Sequence, residues 1–420
     1  METLPLELKQ RICSYLTTKD LKSLRLTSKD YSVGACHYLL PRIFLFNHPD
    51  SCQEVQDIAN HPELNQSVTT LVIDTGCFRP QLKYDQWARN FAVVESSTPT
   101  SREAKAATSG SGSRAERLSH RDKLHEQWKS YCAHQQESLK KLMLSSISLA
   151  FSECPRLKNL ILQCYYRQDT EIDGSAGMLK KRQQFNRRVP SSYPERSASK
   201  YHWSWESMHF DIWDVLKPVH DAGQSLNSLV LLDADLACPL DWTPPDTPIF
   251  RGLKHLRQIN SPMNFLRHVV ASAPELESFG TFDCWNYKCY TSLPSLMSGP
   301  ILANLQACSF NRVADTELFA EFLLRQSQTL KQLRIDNGRD YCFDCGRLVT
   351  SVKGKLPNLR RIEFRNVGSD HQIYGGWANQ YTANDILQDH KHILETGPME
   401  IEDGLWEDYE QIFFPEKTKL

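Results

Sequence analysis

No stretch of the 420 residues stays apolar for the roughly 20 positions a bilayer-spanning helix needs. The opening Met1–Leu16 is broken by Glu2, Glu7, Lys9 and Arg11, so the apolar centre of a signal peptide is not expected there. An excess of one charge is missing too. Lysine plus arginine number 49 against 50 acids, a formal net charge of −1, which gives no global field to gather nucleic acid or anionic lipid. Asn65-Gln66-Ser67 fits the glycosylation acceptor pattern, but without secretion it is expected to stay unused. The 13 cysteines are odd in number and scattered, and Cys164 and Cys308 stand beside apolar neighbours. Cysteine used in this way is a small buried hydrophobe, suited to a reducing compartment. The expected location is cytoplasmic or nuclear, with no membrane partner.

Catalytic signatures are equally scarce. There is no glycine-rich phosphate loop, no nucleophile elbow and no helix bearing two metal-spaced histidines. His390 and His392 stand two apart, which on a helix turns their rings to different sides. Cys342-Phe-Asp-Cys345 is the one close cysteine pair, and a second pair at matching spacing is missing. Cys284 and Cys289 would complete a site only if folding brought them near. Asp233 and Asp235 read as solvated residues at a strand end. Tyr201, Trp203, Trp205, Phe210 and Trp213 form an aromatic cluster with almost no basic residues between the rings. A base-stacking platform would need them, so the cluster reads as core, with Trp205, Phe210 and Trp213 near one helical face. The expectation is a chain that is not an enzyme, with no catalytic residue, no metal, no cofactor and no nucleic-acid partner.

The first 46 residues hold three short helical patterns. Pro5 suits a first helical turn, where its missing N–H costs nothing. Leu8, Ile12 and Leu16 recur every four residues and so share one stripe. Thr17-Thr18-Lys19-Asp20 interrupts that stripe and supplies a capping oxygen. Leu21, Leu24 and Tyr31 continue as a second amphipathic pattern, and a third helix is expected over Val33–Leu40. Three such helices bury too little surface to be stable alone. Packing against a partner or the following domain would supply the rest, which points to a docking module.

The stretch LPLELKQRICSYLTTKDLKSLRLTSKDY resembles an F-box: Leu-Pro, a Glu two residues on, an Ile, Tyr-Leu, then Asp-Leu, Leu-Arg and Ser-Lys. The continuation ACHYLLPRIFLF is similar to the segment that follows the F-box in many fungal members of that family. Tyr31 stands where the family often has Trp. The resemblance covers about a tenth of the chain. It implies docking on the Skp-type adaptor of a cullin–RING ubiquitin ligase, with Leu4, Pro5, Leu8, Ile12 and Leu21 as the adaptor-binding residues. The other reading of the same stripe is a plain cap packed on the chain's own body.

From residue 68 onward one local pattern returns: an apolar residue, two variable ones, an apolar one, then alternation. The clearest copies are Leu157/Leu160/Leu162, Leu226/Leu229/Leu231, Leu330/Leu333/Ile335 and Leu359/Ile362/Phe364, with Leu253/Leu256, Leu276/Phe279 and Leu302/Leu305 weaker and Val68/Leu71 a first unit. The anchors Leu226, Leu253, Leu276, Leu302, Leu330 and Leu359 are 27, 23, 26, 28 and 29 residues apart. Leucine-rich repeats fall in this range, about 20 to 29. Each unit is expected to give a short strand and a return helix, with helices over 264–273, 316–327 and 344–355. The Asn or Cys expected after the strand in that repeat is absent, with Ala234, Gly338 and Val367 in its place. The rival reading is an unrelated α/β domain.

The expected class is thus α/β: a small N-terminal all-α F-box, then an irregular leucine-rich-repeat-like solenoid. Its parts are the helical module at 1–46, a linker and first repeat at 47–83, a partly disordered insertion at 84–138, the solenoid at 139–369 and a C-terminal cap with acidic tail at 370–420. A second insertion at about 165–201 carries Lys180-Lys181-Arg182 and Arg187-Arg188, which read either as a solvated loop or as an import or polyanion patch. Glu400–Glu410 holds six acids and no base, and reads as a cap or as an acidic partner-binding segment. Substrate contacts are expected at outward strand positions, Gln332, Arg334 and Asp336, then Arg361, Glu363 and Arg365. Asn159, Ile161, Ser228 and Val230 would extend that surface as a more apolar stretch. The implied role is that of a substrate receptor working by proximity. The alternative is a repeat scaffold outside any ligase.

Overall fold

The computed structural model describes residues 4–74, 76–78, 84, parts of 122–134, 138–163, 205–207, 210–232, 236–237, 248–259, 263–282, most of 301–336 and most of 345–365. Two compact units divide the chain: residues 1–157 with 163–210, and residues 158–162 with 211–420.

The first unit opens with helices α1 (Leu6–Ser14), α2 (Thr18–Leu24) and α3 (Lys29–Leu39). Their boundaries follow from the caps. Thr17 Oγ1 accepts from Asp20 N at 3.2 Å and Ser28 Oγ from Tyr31 N at 3.2 Å, so each satisfies an N–H left without a helical partner. Tyr31 therefore belongs to α3, not to the second helix as the leucine pattern suggests. Strand β1 (Arg42–Leu45) pairs in parallel with β2 (Thr70–Asp74), Ile43 opposite Leu71, across helix α4 (Pro49–Asn60). Helix α5 (Lys140–Glu153) packs on α4, and Gln56 Nε2 donates to Ser146 Oγ at 3.0 Å. Two short strands, Gly76–Phe78 and Trp205–Ser207, pair antiparallel. Trp205 and Phe210 thus lie in strands, and only Trp213 is helical, so the three do not share a helical face.

The second unit is a parallel sheet built in strict chain order. Its strands are β3 (Asn159–Gln163), β4 (Ser228–Leu232), β5 (His255–Ile259), β6 (Ser278–Phe282), β7 (Ala307–Asn311), β8 (Gln332–Asp336) and β9 (Arg361–Arg365), each beside its predecessor. Helices α6 (Ile212–Asp221), α7 (Met263–Ala271), α8 (Thr316–Arg325) and α9 (Cys345–Val352) fall between strands, close to where periodicity predicts the last three. Gly223 and Gly354, at φ 65° and 67°, stand two residues past α6 and α9, where the left-handed turn that stops a helix favours glycine.

One hydrogen-bond device repeats at each step from β4 to β8. The carbonyl of Asn227 accepts from Lys254 N (2.9 Å) and His255 N (3.1 Å). Lys254 O accepts in the same way from Glu277 N and Ser278 N, Glu277 O from Gln306 N and Ala307 N, and Gln306 O from Lys331 N and Gln332 N. These donors follow directly on the anchor leucines, so the anchors mark the turn into each strand. The ladder also corrects one anchor. Cys308 pairs with Phe279 and with Leu333, so the residue equivalent to Leu276 and Leu330 is Leu305, and Leu302 lies one turn earlier. Cysteine in a leucine position hides the repeat from a pattern of leucines.

An asparagine device stands before the strands rather than after them. Asn304 Nδ2 donates to Pro274 O at 3.0 Å and Asn358 Nδ2 to Gln328 O at 2.7 Å, each reaching back one unit from the position before its anchor. Inside, Phe310 of β7 meets Phe279 of β6 at 5.7 Å and Phe319 and Phe322 of α8 at 5.1 and 5.6 Å, all tilted edge to face. That aromatic cluster holds α8 against the sheet.

Candidate functional site

Helix α1 is amphipathic in the reverse of the usual sense. It buries Lys9 and Cys13, one turn apart, and leaves Leu8 48 %, Ile12 41 % and Tyr15 72 % exposed. Leu6 is exposed as well, and Pro5, exposed at the helix start, lends its carbonyl to Leu8 N and Lys9 N at 3.1 Å. The apolar stripe of α1 therefore faces outward, with no described element of the chain laid over it.

The reason lies in the three-helix core. Cys13, Leu21, Tyr31, Ala35, Cys36 and Leu39 fill it, with Leu16, Leu24, Tyr38 and Leu40 around them. Lys9 enters by its aliphatic stem, and its ammonium sits over the Tyr31 ring, an arrangement that lets a lysine be buried at modest cost. Gly34 of α3 faces α1, and a Cβ there would make ordinary van der Waals contact with Lys9 Cβ at 3.7 Å and Cys13 Sγ at 3.8 Å.

Of the five residues expected to bind an adaptor, Pro5, Leu8 and Ile12 are exposed and Leu4 is half-buried. Leu21 is 2 % exposed and belongs to the core, so it supports the surface without lining it. Tyr15 and Leu6 join the surface, and Leu26, in the turn after α2, is 81 % exposed. The position of Tyr15, three residues past Ile12, carries the stripe onward, and this spacing was the available signal. Leu26 follows no period.

The outward strand positions resolve less evenly. Gln332 and Arg334 are half-buried on β8, alternating with fully buried Leu333 and Ile335. Asp336 ends β8, and Arg361, Glu363 and Arg365 lie opposite Gln332, Arg334 and Asp336 on β9. Two adjacent strands thus bring all six expected residues together. Ile161, Ser228 and Val230 are buried, so the more apolar continuation expected there is not an open surface, and Asn159 is half-buried.

Among the described residues, the thiols of Cys13, Cys36, Cys52, Cys154 and Cys308 are poor nucleophiles. Burial pushes Cys52 and Cys154 up to about 11, and burial likewise raises Cys13, Cys36 and Cys308. For Cys36 a hydrogen bond to Glu63 Oε2, 3.4 Å away, adds to the effect. Thiols held protonated in this way pack rather than react. Among the described residues no three His, Cys, Asp or Glu side chains gather in a metal-binding group, and no helix is long and apolar enough to cross a membrane. Cys284, Cys289, Cys342, His390, His392, Asp233, Asp235, the insertions at 84–138 (in large part) and 165–201, and the acidic run lie outside the described residues.

Compared with known proteins, residues 1–31 match the family model of the F-box domain. A search of curated proteins finds no match. The matched residues hold α1, α2 and the start of α3, so the domain model and the outward apolar stripe coincide, and the chain is supported as an F-box protein. Domains of this kind typically bind Skp-type adaptors of cullin–RING ligases.

Proposed function

We propose that this chain is the substrate-recognition subunit of an SCF-type cullin–RING ubiquitin ligase. Its F-box holds the Skp-type adaptor, and its parallel-sheet unit, a leucine-rich-repeat-like solenoid, holds a protein substrate. The observation that carries the reading is the outward stripe of α1. A helix that only capped its own body would bury Leu8 and Ile12; this one buries Lys9 and Cys13 and leaves the apolar side to another surface. Burying a leucine or isoleucine side chain fully contributes about 1.5–3 kcal/mol, so Leu8, Ile12 and Tyr15 together could anchor a partner.

The solenoid reading is supported by strict chain order, by parallel pairing and by the repeated forked hydrogen bond at steps of about 23 to 29 residues. The receptor would act by proximity: substrate held near a charged ubiquitin carrier reacts faster with no chemistry from this chain. It is accordingly not an enzyme, requires no cofactor, and works in the cytoplasm or nucleus. Gln332, Arg334, Asp336, Arg361, Glu363 and Arg365 form the substrate-facing patch.

Co-purification with a Skp-type adaptor tests the reading. The intact chain should form a one-to-one complex, and a Leu8→Asp, Ile12→Asp variant of unchanged thermal stability should not. An intact chain that fails to bind the adaptor sinks the ligase role and leaves a repeat scaffold. A chain that binds the adaptor but alters no partner's ubiquitination would be a scaffold that uses its F-box outside a ligase.

A further inference from the structure

Two matching four-residue motifs bracket helix α4, and neither the outward stripe of α1 nor the patch on β8 and β9 uses them. Asn47-His48-Pro49-Asp50 leads into the helix and Asn60-His61-Pro62-Glu63 leads out. Each puts its imidazole to the same use. His48 Nδ1 accepts from Asp50 N at 3.1 Å, and His61 Nδ1 accepts from Glu63 N at 3.2 Å and Leu64 N at 3.3 Å. A backbone N–H can only donate, so each of these ring nitrogens presents a lone pair and each ring is neutral. Serine, threonine, asparagine or aspartate ordinarily fills such a capping position, and each keeps one charge state near neutral pH. Histidine does not.

The His61 turn does more than end α4. Asn65 N closes it on His61 O at 3.1 Å, and it runs into a short 3-10 turn, Asn65–Ser67, on which α3 and α4 both pack. Glu63 Oε2 accepts from Cys36 Sγ of α3 at 3.4 Å. Ser67 Oγ donates to Leu64 O at 2.7 Å, with Leu40 O, just past α3, 3.3 Å away. Thr69 Oγ1 donates to Pro41 O at 2.9 Å. Residues 61–69 thus clasp the end of α3, and α3 in turn packs on α1. His61 and Glu63 are exposed, so protons from solvent reach the ring. The ionisable groups that its neighbours bring are Asp57 from the last turn of α4, Cys36 from α3 with Arg25 in its field, and Arg156, which donates to Gln66 O at 3.5 Å.

We propose that His61 is a proton-operated latch on the end of α3. The neutral ring holds the N–H groups of Glu63 and Leu64 and so keeps the Glu63 carboxylate on Cys36. Proton uptake puts an N–H on Nδ1, opposite two other N–H donors, and both bonds are lost. The charged ring is then drawn to the carboxylates of Asp57 and Glu63, which takes Glu63 away from the Cys36 thiol. The clasp is closed while the ring is neutral and opens as the pH falls, loosening α3 beneath the docking helix. The latch is a property of the fold and stands whether or not the ligase reading does.

Amide hydrogen exchange on the full chain tests the latch, read as protection factors from about pH 8 to 5, the range over which an imidazole changes charge. Loss of the two bonds should lower the protection of Glu63 and Leu64 by at least about tenfold, and protection over Ala35–Leu39 should fall with it. The control is His61→Asn, whose side-chain oxygen can cap the same turn without changing charge, so its protection at these sites should hold steady. A second variant, His48→Asn, should keep the full response at Glu63 and Leu64. An equal fall in the intact and His61→Asn chains, or no fall in the intact chain, overturns the proposal. A fall at Glu63 and Leu64 that leaves α3 unchanged overturns the clasp on α3. Loss of the response in His48→Asn overturns the assignment to His61.

Discussion

The ammonium of Lys9 sits 5.7 Å from the centre of the Tyr31 ring, and both side chains are buried inside the F-box helices. The pair joins α1 to α3, and it places a lysine where an amphipathic helix would ordinarily place a leucine. The apolar side of α1 is thereby left outside.

The Tyr31 hydroxyl is buried with no hydrogen-bond partner. Removing a buried unsatisfied polar group while keeping the ring should cost nothing and can stabilise. Tyr31→Phe should leave the free energy of unfolding unchanged or raise it by up to about 1 kcal/mol, whereas Tyr31→Ala should lower it by about 3–5 kcal/mol. Urea denaturation of both variants reads the difference, and a clear loss in Tyr31→Phe would mean that the hydroxyl has a partner.

Leu8 and Leu21 should separate binding from folding. Leu8→Ala changes an exposed residue and should alter stability by less than about 0.5 kcal/mol. Leu21→Ala opens a cavity in the helical core and should cost about 2–5 kcal/mol. Equal losses in a denaturation series would contradict the placement of α1.

Gln326 is nearly inaccessible, and its Oε1 accepts from Leu302 N at 3.1 Å, bracing the turn before β7 from the end of α8. Gln326→Leu would strand that N–H and should cost about 1–3 kcal/mol. Asn358→Ala loses an exposed bond to Gln328 O and should cost about 0.5–1.5 kcal/mol. A larger loss at Asn358 than at Gln326 would reverse the assignment of which brace matters more.

His255 is held below its usual value of 6.5, first by burial, while Glu277 opposes and Lys254 reinforces the shift. Its ring Nδ1 and Ser278 Oγ are 2.9 Å apart. Above pH 6.5 the ring is neutral in folded and unfolded chain alike, and it contributes no pH dependence. As the pH falls below 6.5 the unfolded chain takes up a proton that the folded chain resists, so stability declines until the folded value is passed. His255→Gln should flatten that decline as the pH falls below about 6.5 in melting experiments, and an unchanged slope would assign the decline elsewhere.

Much of this architecture is legible in the residues. The anchors Leu226, Leu253, Leu276, Leu330 and Leu359 each precede an observed strand by two residues, because the alternation that buries one strand face is local and has period two. Thr17 and Ser28 announce their helices for an equally local reason, since a cap needs only its own first turn. The F-box pattern sits where the family model matches.

Other features needed the assembled fold. A helical period draws a stripe but not the direction it faces. Leu8 and Ile12 are outside because Cys13, Leu21, Tyr31 and Leu39, from three helices, close a core that admits Lys9 instead. Leu305 rather than Leu302 is the fourth anchor because pairing with Phe279 and Leu333 places Cys308 in the leucine row, and that register exists only between strands. Ile161, Ser228 and Val230 look like surface by alternation yet are buried. The sequence by itself determined which residues point to the same side of each strand or helix, since that is set by backbone geometry within a few residues. Only the tertiary structure decided which of those sides meets water, because burial depends on elements brought in from far along the chain.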